Sequence, residues 1–346
     1  MEMHTIREQN CFGAANGYSG FRSNFNSIFS PNRLDKLFII KGGPGTGKST
    51  LMRRIKNEYT EGYDVITILC SSDPDSLDGL LISKNGVIIG IADGTPPHTL
   101  EPQYPGAIEE IINLGDGFDF CNLRENRNNI IILSGNKKTS YNSAYASLNI
   151  AGEIYNYISA YFLKNQQNTV AEGLISDYIG DVIVDEKDQS CSDFLISSFS
   201  KFGYKRLPVS FENKRKISIT GDGISEYVLI SEIKKGLDKK GVSYRVFPSA
   251  LSNDIPDIIE TPSVVYEISE DGEHTVDSLE NIPKTCEYER LRNAYRCFIE
   301  NAQFSLIRAA EYHFKLEDIY SSAISFDSNE EKYFDMLKKI NDIFDK

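Results

Sequence analysis

The sequence predicts an α/β fold, a parallel sheet with flanking helices, laid down twice along one chain. Three observations carry this expectation. Short runs rich in β-branched residues alternate with amphipathic stretches at helical spacing, and a glycine-rich turn joins one such run to the stretch after it. A series of small motifs also recurs in the same order in the two halves.

The elements follow in chain order. Leu37–Ile40 reads as a buried strand, and Lys48–Tyr59 as a helix with Leu51, Met52, Ile55 and Tyr59 on one face and Gly62 at the expected C-cap. Val65–Cys70 and Val87–Ala92 read as buried parallel strands. The second half repeats the order with strand Ile217–Ile219, helix Tyr227–Leu237 ending before Gly241, and strands Val242–Phe247 and Val264–Ile268. Phe12-Gly13-Ala14-Ala15 followed by Gly20-Phe21 resembles Leu195-Ile196-Ser197-Ser198 followed by Gly203-Tyr204. Lys41-Gly42-Gly43 meets Thr220-Gly221-Asp222, Asp93-Gly94 meets Glu270-Asp271-Gly272, and Ala144-Tyr145 meets Ala294-Tyr295. Each copy closes in helix: Glu287–Tyr320 and Asn329–Phe344 have helical periodicity, while Ile130–Leu133 fits either a strand or part of a helix within 122–165. The polar stretch Asp185–Asp193 marks the seam, giving domains 1–190 and 191–346.

Composition excludes several classes. At 346 residues the chain suits two domains of ordinary size. A net charge of −13 and a pI near 4.9 argue against nucleic acid as a partner, which needs a basic face. Lys234, Lys235, Lys239 and Lys240 lie among acidic residues and read as a solvated helix face. The six cysteines form no C-x-x-C pair, and with four histidines they suggest no structural zinc site. No apolar run reaches membrane-spanning length and none near the start suits a signal peptide, so a cytoplasmic protein with reduced thiols and no membrane partner is expected.

Gly42-Gly43-Pro44-Gly45-Thr46-Gly47-Lys48-Ser49 fits G-x-x-x-x-G-K-[ST], the P-loop pattern, between an apolar strand and an amphipathic helix. Glycines let backbone N–H groups converge on a phosphate, and the helix N-terminus adds a positive field. From Gly42 through Thr50 the segment would cradle ATP, with Lys48 reaching the β- and γ-phosphates and Ser49 ligating Mg²⁺. Asp93, ending the strand Val87–Ala92, suits the Walker B role of holding Mg²⁺. Cys70-Ser71-Ser72-Asp73-Pro74-Asp75-Ser76-Leu77-Asp78 follows the second strand at the edge where open parallel sheets bind ligands. Asp73 or Asp75 there could activate water or an acceptor hydroxyl, or simply cap a turn. His98, after Pro96-Pro97, reads as a turn residue.

Gly94 stands where many P-loop ATPases place a water-orienting Glu, so hydrolysis would be slow or need a group from elsewhere. Asn136-Lys137-Lys138-Thr139 lacks the Asp of an N-K-x-D guanine reader, which favours ATP over GTP. The second copy is degenerate: Gly221-Asp222-Gly223-Ile224-Ser225-Glu226-Tyr227 has no phosphate-binding lysine, and Glu226 would repel phosphate. A partner residue from that copy could reach the first site, with Lys205, Arg206 and Arg245 as candidates.

The run Leu37–Thr50, the segment Cys70–Asp78, Asp93-Gly94-Thr95-Pro96-Pro97-His98 and the C-terminal Ala310-Glu311-Tyr312-His313 resemble a family of bacterial, Firmicutes-type, tandem-repeat P-loop ATPases. The resemblance implies the fold and ATP binding but no substrate. Many of those proteins keep a P-loop in the second repeat, where this chain departs. Three functions are expected in order: an ATPase or ATP-driven switch with one Mg-ATP site, a kinase whose acceptor lies on Asp73–Asp78, and a non-hydrolysing nucleotide sensor.

Overall fold

The computed structural model describes residues 8–164, 167–179, 189–211, 214–269, 275–278 and 285–346. The first half runs β1 (Glu8–Phe12), β2 (Ala14–Gly17), β3 (Gly20–Ser23), α1 (Phe25–Ile28), β4 (Lys36–Lys41), α2 (Lys48–Glu58), β5 (Asp64–Leu69), β6 (Leu77–Lys84), β7 (Val87–Asp93), β8 (Glu109–Asn113), α3 (Phe120–Glu125), α4 (Arg127–Lys164) and α5 (Gln167–Ile179). The second runs β9 (Gln189–Cys191), β10 (Ser197–Ser200), β11 (Gly203–Arg206), β12 (Arg215–Thr220), α6 (Ser225–Lys240), β13 (Tyr244–Pro248), β14 (Pro256–Glu260), β15 (Val264–Ile268), β16 (Thr275–Asp277), α7 (Cys286–Ser322) and α8 (Asp327–Phe344).

Two six-stranded sheets result, ordered β1-β5-β6-β7-β4-β8 and β9-β13-β14-β15-β12-β16. The orders correspond strand for strand, and so do the directions. In each sheet the second and third strands, and the third and fourth, pair antiparallel, and the remaining neighbours run parallel. The duplicated plan is therefore present in the fold, but each sheet is mixed rather than parallel. The sequence reading assigns no element to Leu77–Lys84, where the structure has β6. Asn85-Gly86, both at positive φ (52° and 86°), turn the chain straight into β7 with the chemistry of a two-residue hairpin.

Other boundaries shift for local reasons. Ile130–Leu133 is helical, inside α4. Helix α2 ends one residue early, capped by Tyr59, and Gly62 serves the following turn at φ +77°. Helix α6 extends to Lys240, where Gly241 at φ +72° donates its N–H to the Asp238 carbonyl.

The cores explain the architecture. One face of the first sheet, including Phe38, Ile40, Leu80, Ile82 and Ile91, packs on Leu51, Met52 and Ile55 of α2 and on Tyr333, Met336 and Ile340 of α8. In the second sheet Ile217, Ile219, Ile259 and Tyr266 pack on α6 and on Ala171, Leu174 and Ile175 of α5. Each half thus sends its last helix to the other half's sheet. The carriers are α4 and α7, which pack antiparallel, as shown by the Tyr161–Tyr288 ring pair at one end and the Lys137–His313 contact at the other. A boundary at residue 190 therefore falls inside β9, a strand of the second sheet, and each sheet's core draws a helix from the other half. Of the expected seam, 185–188 lie outside the described residues, as does the Glu270-Asp271-Gly272 match.

The two copies meet along the motifs that match in sequence. Phe12 and Leu195 exchange backbone bonds of 2.7 and 2.9 Å. The Asn16 N–H donates to Ser198 Oγ and its amide to the Phe199 carbonyl. Gly17 approaches so closely that a Cβ there would lie 1.8 Å from the Ala250 carbonyl oxygen. Asp193, at the end of the expected seam, accepts from Ser27 Oγ at 2.6 Å and Arg33 at 2.5 Å. Among the described residues no helix is long and apolar enough to cross a membrane.

Truncating Met336, fully buried in α8, should destabilise the whole chain by about 2–5 kcal/mol. Urea unfolding of Met336→Ala followed by far-ultraviolet circular dichroism checks this. A first half that melted separately and unchanged would contradict the shared core.

Candidate functional site

The turn after β4 takes its shape from glycine. Gly45 and Gly47 lie at φ +67° and +86°, and Gly47 caps α2 in the left-handed region. Thr46 Oγ1 donates to the Gly43 carbonyl at 2.9 Å and tightens the turn. The Lys48 ammonium lies back over the loop, donating to the carbonyls of Gly43 (2.8 Å) and Gly42 (3.2 Å), and stands 3.7 Å from Asp93 Oδ2. β4 and β7 are parallel neighbours, with Ile40 beside Asp93, so the register alone brings loop and carboxylate together. Ser49 Oγ accepts from the Leu77 N–H at 3.0 Å, and Asp93 Oδ1 accepts from the Thr95 N–H (2.9 Å) and hydroxyl (2.6 Å).

A cavity of about 830 Å³ opens here, within the usual range for small-molecule sites. Gly42, Gly43, Pro44, Gly45, Thr46, Lys48, Ser49, Asp73 and Asp93 line it. Gly47 acts behind the loop as the cap, and Thr50 is exposed outside the lining. Asp75 is a correction: it is exposed and absent from the cavity wall, and its carbonyl takes a bond from Arg53. Asp73 is there but is bound to the Lys201 ammonium at 2.6 Å, which leaves it poorly placed to accept a proton.

The second copy does reach the site, but through other residues than expected. Lys205 is exposed, Arg206 is engaged with Asp257 (3.5 Å) and Tyr227, and neither these nor Arg245 lines the cavity. The end of α7 does. A Cβ on Gly45 would lie 2.7 Å from the Glu317 carbonyl oxygen, one on Gly43 would meet the Tyr320 ring at 3.2 Å, and the Asn329 amide donates to the Thr46 carbonyl at 3.0 Å. His313 and Glu317 pair at 3.4 Å; that hydrogen bond holds the Glu317 carboxyl below its ordinary range, with Lys48 and Lys201 adding to it against burial. Across the cavity α4 presents Lys137, Lys138 and Tyr141. Burial and the nearby Lys48 push the Lys137 ammonium down. The Asn136-Lys137-Lys138-Thr139 motif thus sits on a helix in the wall.

His98 is the other surprise. It is buried, stacked on Phe25 with ring centroids 4.1 Å apart, and its Nε2 lies 3.1 Å from Asp78 Oδ2. Both line the cavity. A Pro-Pro-His turn gave no hint of this, because Asp78 arrives on the unforeseen antiparallel strand β6.

The matching loop of the second copy is filled from within. Glu226 accepts from the Gly223 N–H at 3.0 and 3.1 Å, and Asp222 accepts from the N–H groups of Ile224 and Ser225. Arg292 and Tyr288, at the start of α7, hold the other oxygen of Asp222. The amides that would meet an anion already bind carboxylates of the chain. Among the described residues no group of three or more His, Cys, Asp and Glu side chains could hold a metal ion by itself. No family model, curated protein or solved structure matches the chain.

Burial raises the Asp93 carboxyl above its ordinary value; Lys48 opposes this, and Asp78 adds to it. The folded protein then holds that proton more tightly than the unfolded chain, so the group's stability contribution is full in acid and falls as pH rises through the raised value. Asp93→Asn should therefore stabilise the ligand-free protein at neutral pH, with the gain shrinking towards about pH 4. Urea midpoints of both proteins across that range measure it.

Proposed function

We propose that the chain binds one Mg-ATP at the Gly42–Ser49 loop and hydrolyses it, the bound nucleotide setting how the two halves pack. The observation that carries this is the juxtaposition at 3.7 Å of Lys48, which opens α2, with Asp93, which ends β7, beside a loop that turns from β4 into α2 through Gly45 and Gly47 at positive φ. On this reading the fold is a P-loop NTPase fold doubled, its second copy degenerate, in keeping with the Firmicutes-type tandem-repeat ATPases the sequence resembles.

Each residue then has a role. The loop amides take the β-phosphate, and Lys48 leaves its carbonyl partners for the β- and γ-phosphates. Ser49 and Asp93 would hold Mg²⁺, which when bound would supply positive charge to the phosphates. Two protein oxygens suit this ion, which keeps waters and binds substrate phosphates for the rest of its shell. ATP is favoured over GTP because the α4 motif carries no carboxylate for a guanine. Glu317, Tyr320 and Asn329 lie against the loop, so a nucleotide entering it is felt directly by α7 and α8.

A kinase is the second reading. It is favoured by the depth of the cavity, which continues past the loop to Asp78, His98 and Tyr141 and leaves room for an acceptor.

Wild type should release phosphate from Mg-ATP without an acceptor, and Lys48→Ala should lower the rate by on the order of 10²-fold or more. In a thermal-shift titration, ATP at a hundredfold excess over Kd should stabilise wild type by about 2.7 kcal/mol and leave the variant unmoved. Calorimetric titration should give one nucleotide per chain. Two would contradict the filled second loop, and turnover surviving in Lys48→Ala would remove the site altogether.

A further inference from the structure

Four carboxylates line the cavity among the described residues, and each already faces a cation or an imidazole. Asp93 stands 3.7 Å from Lys48, Asp73 is bound to Lys201 at 2.6 Å, Glu317 lies 3.4 Å from His313 and Asp78 lies 3.1 Å from His98. Lys137, in the same wall, has no such partner. Among the described residues no carboxylate comes within ion-pair distance of its ammonium, which meets Nδ1 of His313 at 3.4 Å, a group that brings no negative charge. A half-buried cation without a counter-ion is costly. Burial first and Lys48 second push this ammonium below its ordinary range, with Glu317 opposing them.

The helices set where that charge stands. Ser134, Lys137, Lys138, Tyr141, Asn142 and Tyr145 recur at helical spacing, so one face of α4 forms a wall of the cavity that the glycine loop also lines. Lys138 on that face is exposed, where water and salt screen it. Lys137 instead reaches α7. A Cβ on Gly45 would lie 2.7 Å from the Glu317 carbonyl oxygen, and His313, the contact of Lys137, is four residues before Glu317 on the same helix. Along α7 the ammonium is thus displaced by about one turn, roughly 5.4 Å, from the point where that helix touches the loop. A lysine offers three donors on a flexible four-carbon stem, which suits it to close such a gap.

We propose that Lys137 binds the terminal phosphate of the nucleotide from the α4 side and so distinguishes ATP from ADP. This rests on reading the Gly42–Ser49 loop as a Mg-ATP site. Lys48 approaches the β- and γ-phosphates from the loop, and Lys137 meets the γ-phosphate from the opposite helix. The terminal phosphate is the counter-ion that Lys137 lacks, and it sits between two ammoniums that otherwise repel each other. ADP stops short of Lys137. Because α4 carries α5 into the core of the second sheet, the contact ties the length of the phosphate chain to the packing of the halves.

The test is calorimetric titration of wild type, Lys137→Ala and Lys137→Met with two probes. These are Mg-ADP and the Mg complex of the β,γ-imido analogue of ATP, which resists hydrolysis. Wild type should bind the triphosphate more tightly than the diphosphate. Each variant should lose on the order of 10- to 100-fold in triphosphate affinity while staying within about twofold of wild type for ADP. Methionine keeps most of the apolar stem, so it would replace a lysine that merely packs α4 against α7 without changing the preference; it also decides the matter if Lys137→Ala fails to fold. A ratio of triphosphate to diphosphate affinity that keeps its wild-type value in Lys137→Met, whether both affinities fall together or neither falls, overturns the proposal and spares the nucleotide site. Wild type that binds neither probe overturns both.

Discussion

Neither sheet of this chain can bury its helix-covered face with helices of its own half alone. The first is completed by α8 and the second by α5, so each half finishes the other. Apolar burial at about 25 cal/mol per Å² makes this exchange a principal adhesive between the copies. It also dictates the two long helices. A helix of 38 residues spans about 57 Å, enough to carry α5 from one sheet to the other, and α7 does the same for α8 in the opposite direction. Because they run antiparallel, the start of α4 and the end of α7 meet over the loop of the first copy. The start of α7 reaches the loop of the second.

The two loops show what duplication allows. Both follow a strand and open a helix, and both present backbone N–H groups. In the second, Asp222 and Glu226 satisfy those groups from within, and Arg292 balances the charge. In the first, no side chain among the described residues does so; Lys48 sits on carbonyls and Asp93 carries a carboxyl raised by burial. One loop is closed from within by its own carboxylates, while its twin opens onto the cavity.

Much of this was legible in the residues themselves. A strand such as Val264–Ile268 and a helix such as Lys48–Glu58 are set by local periodicity and capping, and the glycine loop by its own spacing. The order of matched motifs foretold the repeated topology. What could not be read depends on tertiary partners. Strand β6 had one local signal, the Asn85-Gly86 hairpin turn that sets it antiparallel to β7; its pairing with β5 depends on the sheet. Asp78 and His98 are twenty residues apart and meet only through that strand. Glu317 and Tyr320 reach the site on α7, the helix that carries α8 across, and Lys201, whose N–H donates to the Ser72 carbonyl, reaches it from the β10–β11 turn. The charge candidates Lys205, Arg206 and Arg245 failed for the same reason: sequence shows that a residue is cationic, not which way the second copy faces.

The position of α8 along the chain has a consequence for how the protein is made. The helix that covers Phe38 and Ile40 is translated about three hundred residues after them. During synthesis the first sheet must wait with that apolar face partly bare while the whole second half emerges. Domains of multidomain proteins generally fold in turn from the N-terminus, but here the first unit has no complete state to reach until the last helix appears. The core that holds Phe38 and Ile40 is therefore completed late in the order of the chain.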